Sequence, residues 1–179
     1  MSRVFAEVAA VGSGPAADPP PVTADARAAL QDRGRWLVSQ LTVLSVGPAL
    51  DVGCGGGRHL RPGDVGIDVD LDRVRSARER SRLVAVADAH RLPFADCAFR
   101  TAYAIRMLNA AGRVDHLLEE IRRVLAPDGR LLVYTRARRA EGDRIDPDNG
   151  APRLAAHFRA VRALPDPDDP GGVLFVAER

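Results

Sequence analysis

The sequence predicts an α/β fold with a mostly parallel sheet, and three observations predict it. Short apolar runs of strand length alternate with stretches of helical apolar spacing, the pattern of strands joined by crossover helices. The run Ala49-Leu50-Asp51-Val52 enters a turn with glycines at positions 53, 55 and 57. A bare turn at a strand's carboxyl end is where α/β sheets receive ligands. The last two apolar runs, residues 158–164 and 173–177, read as strands around the polar loop of residues 166–172. At 179 residues the chain is long enough for one domain with a sizeable core.

Taken in order, residues 1–22 are rich in Ala, Gly and Pro and read as a mobile arm, so the domain is expected over residues 23–179. Thr23 can cap a helix carrying Ala26, Leu30, Leu37 and Leu41 on one face, interrupted at Gly34. Strand one is expected over residues 48–53. Ten residues lie between Gly57 and Asp68, with Pro62-Gly63 among them, so the first crossover helix should be very short. Residues 65–68 form the next strand, and Leu71, Val74 and Ala77 stripe the following helix. Residues 83–87 and 101–105 are the third and fourth strands. Val114, Leu117, Leu118, Ile121, Val124 and Leu125 make the clearest amphipathic helix. It should stop at a type II turn over Pro127-Asp128-Gly129, ahead of strand five at residues 131–135. There is no internal repeat.

Composition narrows the function classes. No apolar run approaches the length of a membrane span, and the weak Ala/Val start containing Glu7 does not resemble a secretory signal. Cys54 and Cys97 have neither metal-ligand spacing nor a disulfide framework, so no metal and a cytoplasmic setting are expected. All 26 basic residues are Arg, which reads as coding bias. A net charge of +2 does not demand a nucleic-acid partner, although a pI near 8.9 permits one.

The glycine turn does not fit the dinucleotide fingerprint G-x-G-x-x-G, whose third glycine would fall on Arg58. It fits D-x-G-x-G-x-G, and with it the chain resembles the class I S-adenosylmethionine (SAM)-dependent methyltransferases, in their small, broad-substrate branch. Three further segments agree in order. Val65-Gly66-Ile67-Asp68 is similar to the family's second strand, Ala87-Asp88-Ala89-His90-Arg91-Leu92-Pro93-Phe94 to its D-A-x-x-L-P-F segment, and residues 121–130 to its R-V-L-x-P-G-G-x turn. The likeness covers roughly half the chain, from about residue 45 to 135. It implies a Rossmann-like sheet of seven strands, with helices on both faces and a C-terminal antiparallel hairpin.

The resemblance also implies roles. Backbone at Gly53, Cys54, Gly55 and Gly57 would leave room for SAM and donate N–H groups to its tail. Asp51 would orient the turn and face the cofactor ammonium, or only tie down the loop. Asp68, with Val69 beside it, would accept the ribose hydroxyls, a task that suits two acceptor oxygens; Asp70 and Asp72 are competitors. Asp88 and the Ala89 N–H would meet the adenine, unless Asp88 is a plain capping residue. Arg106 closes strand four at the cofactor wall, and as a costly buried charge it must reach solvent, a carboxylate or an anionic substrate.

Methyl transfer from a sulfonium is driven largely by proximity and orientation, and a general base is needed only for a protonated acceptor. His90 and His157 are candidates for that base without being assigned to it. His116 should be solvated. The chain departs from the family at Arg100, Asp128 and Asn109, and its Arg136-Ala137-Arg138-Arg139 segment is basic. The expected activity is methyl transfer from SAM, with S-adenosylhomocysteine (SAH) as product, to the O, N or C of a small-molecule substrate. Alternatives are a tRNA or other RNA methyltransferase and a non-catalytic SAM-fold binding module. The amino-terminal helix with Trp36 is expected either as a lid over the cofactor or as a permanently docked element.

Overall fold

The computed structural model describes residues 34–108, 112–136 and 143–179. The arm expected over residues 1–22 and the helix start at Thr23 lie outside them. The described chain forms helix α1 (Arg35–Leu44), strands β1 (Ala49–Val52) and β2 (Val65–Asp68), helix α2 (Leu71–Ala77), strands β3 (Val84–Val86) and β4 (Phe99–Ile105), helix α3 (Val114–Val124), strand β5 (Leu125–Arg136), helix α4 (Gly150–Ala155) and strands β6 (Ala160–Pro165) and β7 (Gly172–Glu178).

These strands make one seven-stranded sheet in the order β3-β2-β1-β4-β5-β7-β6. Strands β1 to β5 are parallel, and β7 lies antiparallel between β5 and β6. The mostly parallel sheet and its closing hairpin are therefore as the sequence predicts. The chain leaves β1 toward β2 on one side and reaches β4 on the other, so the order reverses beside β1. The carboxyl ends of strands at such a switch point diverge and open a crevice.

Alternation along the strands sends opposite sets of side chains to the two faces. Leu50, Val52, Ile67, Ala104 and Val133 pack under the buried stripe of α3, residues 114, 117, 118, 121 and 124. On the other face Leu37 and Leu41 of α1 cover Ala49, Tyr103, Leu132 and Val176. Val74 and Ala77 of α2 cover Val84 and Cys54 on that same face. Register carries the parity across: Asp51 pairs with Gly66 and Gly66 with Val84, so Asp51 and Asp68 share the α1/α2 face with Ala49.

Two local expectations are corrected. No helix forms between β1 and β2; residues 53–64 are turns, because Gly53, Gly55, Gly57 and Gly63 all take positive φ and Pro62 interrupts the segment. A buried ion pair holds this crossover instead. Asp64 is 1% exposed and accepts from Ala49 N (2.9 Å), Arg61 Nε (2.8 Å) and Tyr103 Oη (2.9 Å), while Arg61 Nη1 reaches the Leu41 carbonyl of α1 (3.1 Å). Nor is Pro127-Asp128-Gly129 a type II turn. Asp128 lacks the positive φ that turn needs, and β5 begins at Leu125 with residues 126–129 as an irregularity opposite β4.

Candidate active site

The glycine turn is built by its own backbone. Gly53 N and Cys54 N both donate to the Ile67 carbonyl (2.9 and 2.8 Å), and Gly57 N donates to the Cys54 carbonyl (2.9 Å). Gly55 N donates to Asp68 Oδ2 (2.8 Å), while Asp70 N donates to Asp68 Oδ1 (2.9 Å). The N–H groups of residues 53, 54, 55 and 57 are thus already committed. Those of residues 53, 54 and 55 pin the turn to β2, and that of Gly57 closes the turn on itself. At Gly53 φ is 74°, and a Cβ there would run into the Met107 side chain beyond β4. Glycine is required by both conformation and space.

Beneath the turn lies Asp51, 2% exposed, with no hydrogen bond to its carboxylate from the described residues. Burial, and then the charges of Asp64 and Asp68, push its pKa well above the usual carboxylate range. A buried carboxyl without a hydrogen-bond partner at this end of β1 can receive a cationic group. Cys54 is packing rather than chemistry: burial first, then Asp51 and Asp68, pushes its thiol up to about 12. Gly66 makes room for its sulfur, since a Cβ there would lie 2.9 Å from Sγ.

Asp70 and Asp72 serve α2. Asp70 is the N-cap, accepting from Asp72 N (2.9 Å) and Arg73 N (3.2 Å), and Asp72 occupies the first turn. Asp68 is the carboxylate left at the crevice, 7% exposed, and each of its oxygens keeps a lone pair beyond the backbone bond it accepts. Val69, next along, is a 75% exposed apolar side chain between Asp68 and the turn after β3. In that turn the Asp88 side chain is 64% exposed, with the half-buried Ala89 beside it. The Asp88 carboxyl is held below its ordinary range by the His90 backbone N–H and then the His90 ring.

Arg106 ends β4 in the left-handed region, φ 59°, with its N–H on the Tyr134 carbonyl (2.8 Å). Its guanidinium makes no ion pair among the described residues. Together with Arg58 it acts on His59, whose pKa is lowered to about 4 by burial first and then by the two guanidiniums. His59 is one of the chain's four histidines; the positive rim it shares with Arg58 and Arg106 appears only when the turn is folded back toward β4.

The two histidine candidates part company. His90 sits at the crevice with acceptors on both sides, Asp88 Oδ1 (3.0 Å) and the Gly112 carbonyl (3.1 Å). His157 is not brought to the crevice. Register places it at the opposite edge: it precedes Ala160, which pairs with Glu178, which pairs with Arg130 near the start of the parallel strands. There it bonds Asp115 (3.3 Å) on the solvent side of α3, beside a surface cavity lined by Glu119, Arg122 and Arg179.

Comparison with known proteins agrees with this geometry. Residues 50–133 match the family model described as Methyltransferase domain. The chain is 35% identical over 100 residues to a sterol 4-C-methyltransferase of Caenorhabditis elegans, covering 48% of this chain and 30% of that protein. It is 32% identical over 103 residues to a probable tRNA methyltransferase 9B of Mus musculus, covering 54% and 23%. The chain therefore spans about a third or less of the length of these relatives. Among solved structures, a SAM-dependent methyltransferase of Thermotoga maritima, a possible histamine N-methyltransferase, superposes with a TM-score of 0.71 at 16% identity, covering 84% of this chain and 91% of that one. Residues 50–133, the segment from β1 to β5, thus match the methyltransferase domain, on a sheet that shares the fold of S-adenosylmethionine-dependent methyltransferases.

Proposed function

We propose that this chain transfers the methyl group of SAM to an O, N or C atom of a small-molecule acceptor. One observation carries the cofactor half of the reading: the buried, uncommitted Asp51 under a glycine turn that Asp68 clamps at the sheet's switch point. When bound, SAM supplies a methyl group on a sulfonium, whose departure leaves a neutral thioether. The residues present fit it. Asp51 would hold the ammonium of its amino-acid end, Asp68 the ribose hydroxyls, Val69 one face of the adenine, and Asp88 with Ala89 its amino edge. Met107 lies against Gly53 and would bound the crevice on the β4 side.

A small acceptor is favoured by what surrounds the site. Arg136, which opens the basic segment after β5, is half exposed, and its ion pair with Asp169 (2.6 Å) offsets the charge it would bring to a phosphate. Among the described residues between β5 and β6 only the six-residue α4 is regular structure. No side chain is assigned as a general base, so orienting the acceptor beside the methyl group is the chain's contribution to rate.

Radiolabelled SAM incubated with separate metabolite and RNA pools tests the reading, with label expected in the metabolite fraction. Label in RNA, with binding that weakens steeply with salt, would replace it by the RNA reading. Cofactor binding without label transfer to any pool would leave a binding module. At the same time Asp68→Ala should weaken SAH binding by roughly 10- to 100-fold in calorimetry, since charge-assisted hydrogen bonds contribute about 1.5–3 kcal/mol each. Unchanged affinity would move the ribose contact to another carboxylate.

A further inference from the structure

We propose that His90 is a positioning residue for purine recognition: it fixes Asp88 so that one carboxylate oxygen faces the adenine amino group, and it ties that contact to the end of the β4–α3 connection at Gly112. The inference rests on the reading above that the crevice takes an adenosyl cofactor.

The geometry points there from both ends of the ring. His90 N and His90 Nδ1 lie 2.9 and 3.0 Å from the same atom, Asp88 Oδ1. Two groups on one oxygen stop rotation of the carboxylate and turn Oδ2 outward, on a side chain that is 64% exposed and would otherwise swing freely. The ring is held in turn. Its Nε2 lies 3.1 Å from the Gly112 carbonyl, and its face stacks on His116 of α3 with centroids 6.0 Å apart and planes 14° from parallel. Gly112 and Arg113 both take positive φ, 60° and 43°, immediately before α3. The tether therefore bears on where α3 begins. The neutral ring carries one proton, which serves either Asp88 or Gly112, and the imidazolium serves both; in each state both nitrogens face oxygens of this chain rather than a substrate. This is why His90 positions rather than acts as base.

The chemical consequence is selectivity at purine position 6. An ionised carboxylate oxygen accepts from a 6-amino group and opposes a 6-oxo group, acceptor against acceptor. Calorimetry with SAH and with its 6-deamino purine analogue, which lacks only the amino group and keeps N1 as a bare acceptor, reads the preference directly. The wild-type chain should favour SAH by at least about tenfold, and Asp88→Ala should abolish the preference. His90→Ala should lower it about fivefold, the loss expected when a single orienting hydrogen bond is removed. His90→Asn, whose amide nitrogen reaches Asp88 much as Nδ1 does, should restore it. His90→Gln, whose amide reaches toward Gly112 instead, should not. A ratio between two ligands is insensitive to a general loss of folded protein, and if His90→Ala fails to fold, the Asn and Gln pair decides. Wild-type preference in both His90→Ala and His90→Gln, with Asp88→Ala abolishing it, would overturn the role of His90 alone. Preference surviving Asp88→Ala would overturn the adenine contact itself, and this inference with it.

Discussion

At Asp51 a single residue carries opposed demands. Burial raises its carboxyl pKa well above the usual range, and Asp64 and Asp68 add to the shift. A carboxyl raised on folding contributes stability below its ordinary pKa and loses it as pH rises toward the folded value. Asp51→Asn keeps the shape without the charge, so it should raise the ligand-free melting temperature by a few degrees at pH 8 and less at pH 4, while weakening SAH binding. Differential scanning fluorimetry at the two pH values checks this; a lower melting temperature at pH 8 would mean that Asp51 is ionised and paired. His59 runs the other way. Its pKa falls to about 4 through burial and then Arg58 and Arg106, against an ordinary imidazole value of roughly 6.5. Its contribution is complete above roughly 6.5 and drains away as pH falls through about 4, amounting to at most about 3 kcal/mol. His59→Gln should flatten that loss in urea titrations from pH 7 to pH 4. An unchanged acid slope would show that His59 is open to solvent.

At the scale of elements, polar contacts decide what apolar pattern leaves open. Two departures from the family motif turn out to be partners: Arg100 on β4 and Asp128 on β5 form one ion pair (2.6 Å). Both are exposed, so it contributes little, about 0–1 kcal/mol. Helix α1 is fastened more firmly. Leu37 and Leu41 are 4% and 1% exposed, and Trp36 N reaches Asp168 Oδ2 (3.3 Å) in the loop between β6 and β7. Residues 37–44 should therefore show equal, high hydrogen-exchange protection with and without SAH. Protection that appears only with ligand would make this helix the lid. Leu41→Ala should cost about 2–5 kcal/mol of stability, read by urea unfolding.

For the whole molecule, the parallel sheet with its reversal beside β1 brings Asp51, Asp68 and Asp88 to the carboxyl-end side of neighbouring strands β1, β2 and β3. SAH should stabilise the native chain by mass action, about 2.7 kcal/mol at a hundredfold excess over Kd, and NAD should not. A thermal shift with NAD alone would contradict the cofactor assignment. No helix among the described residues is long and apolar enough to cross a membrane.

What the sequence by itself determined is what local pattern encodes. The glycine turn after β1, the apolar stripe of α3 and the strand–helix alternation all depend on residues a few positions apart, and each survives into the fold with ends shifted by a few residues. Asp68 and Asp88 were legible because motif spacing puts them at the ends of strands. Tertiary structure alone decided the rest. Tyr103 meets Asp64 across 39 residues, Arg100 meets Asp128 across 28, and His90 meets Gly112 across 22. Apolar periodicity says which face of a strand is buried but not which distant polar groups register brings side by side. For the same reason a glycine turn could be read as a ligand site, while the fact that its N–H groups are already bound to Ile67 and Asp68 could not.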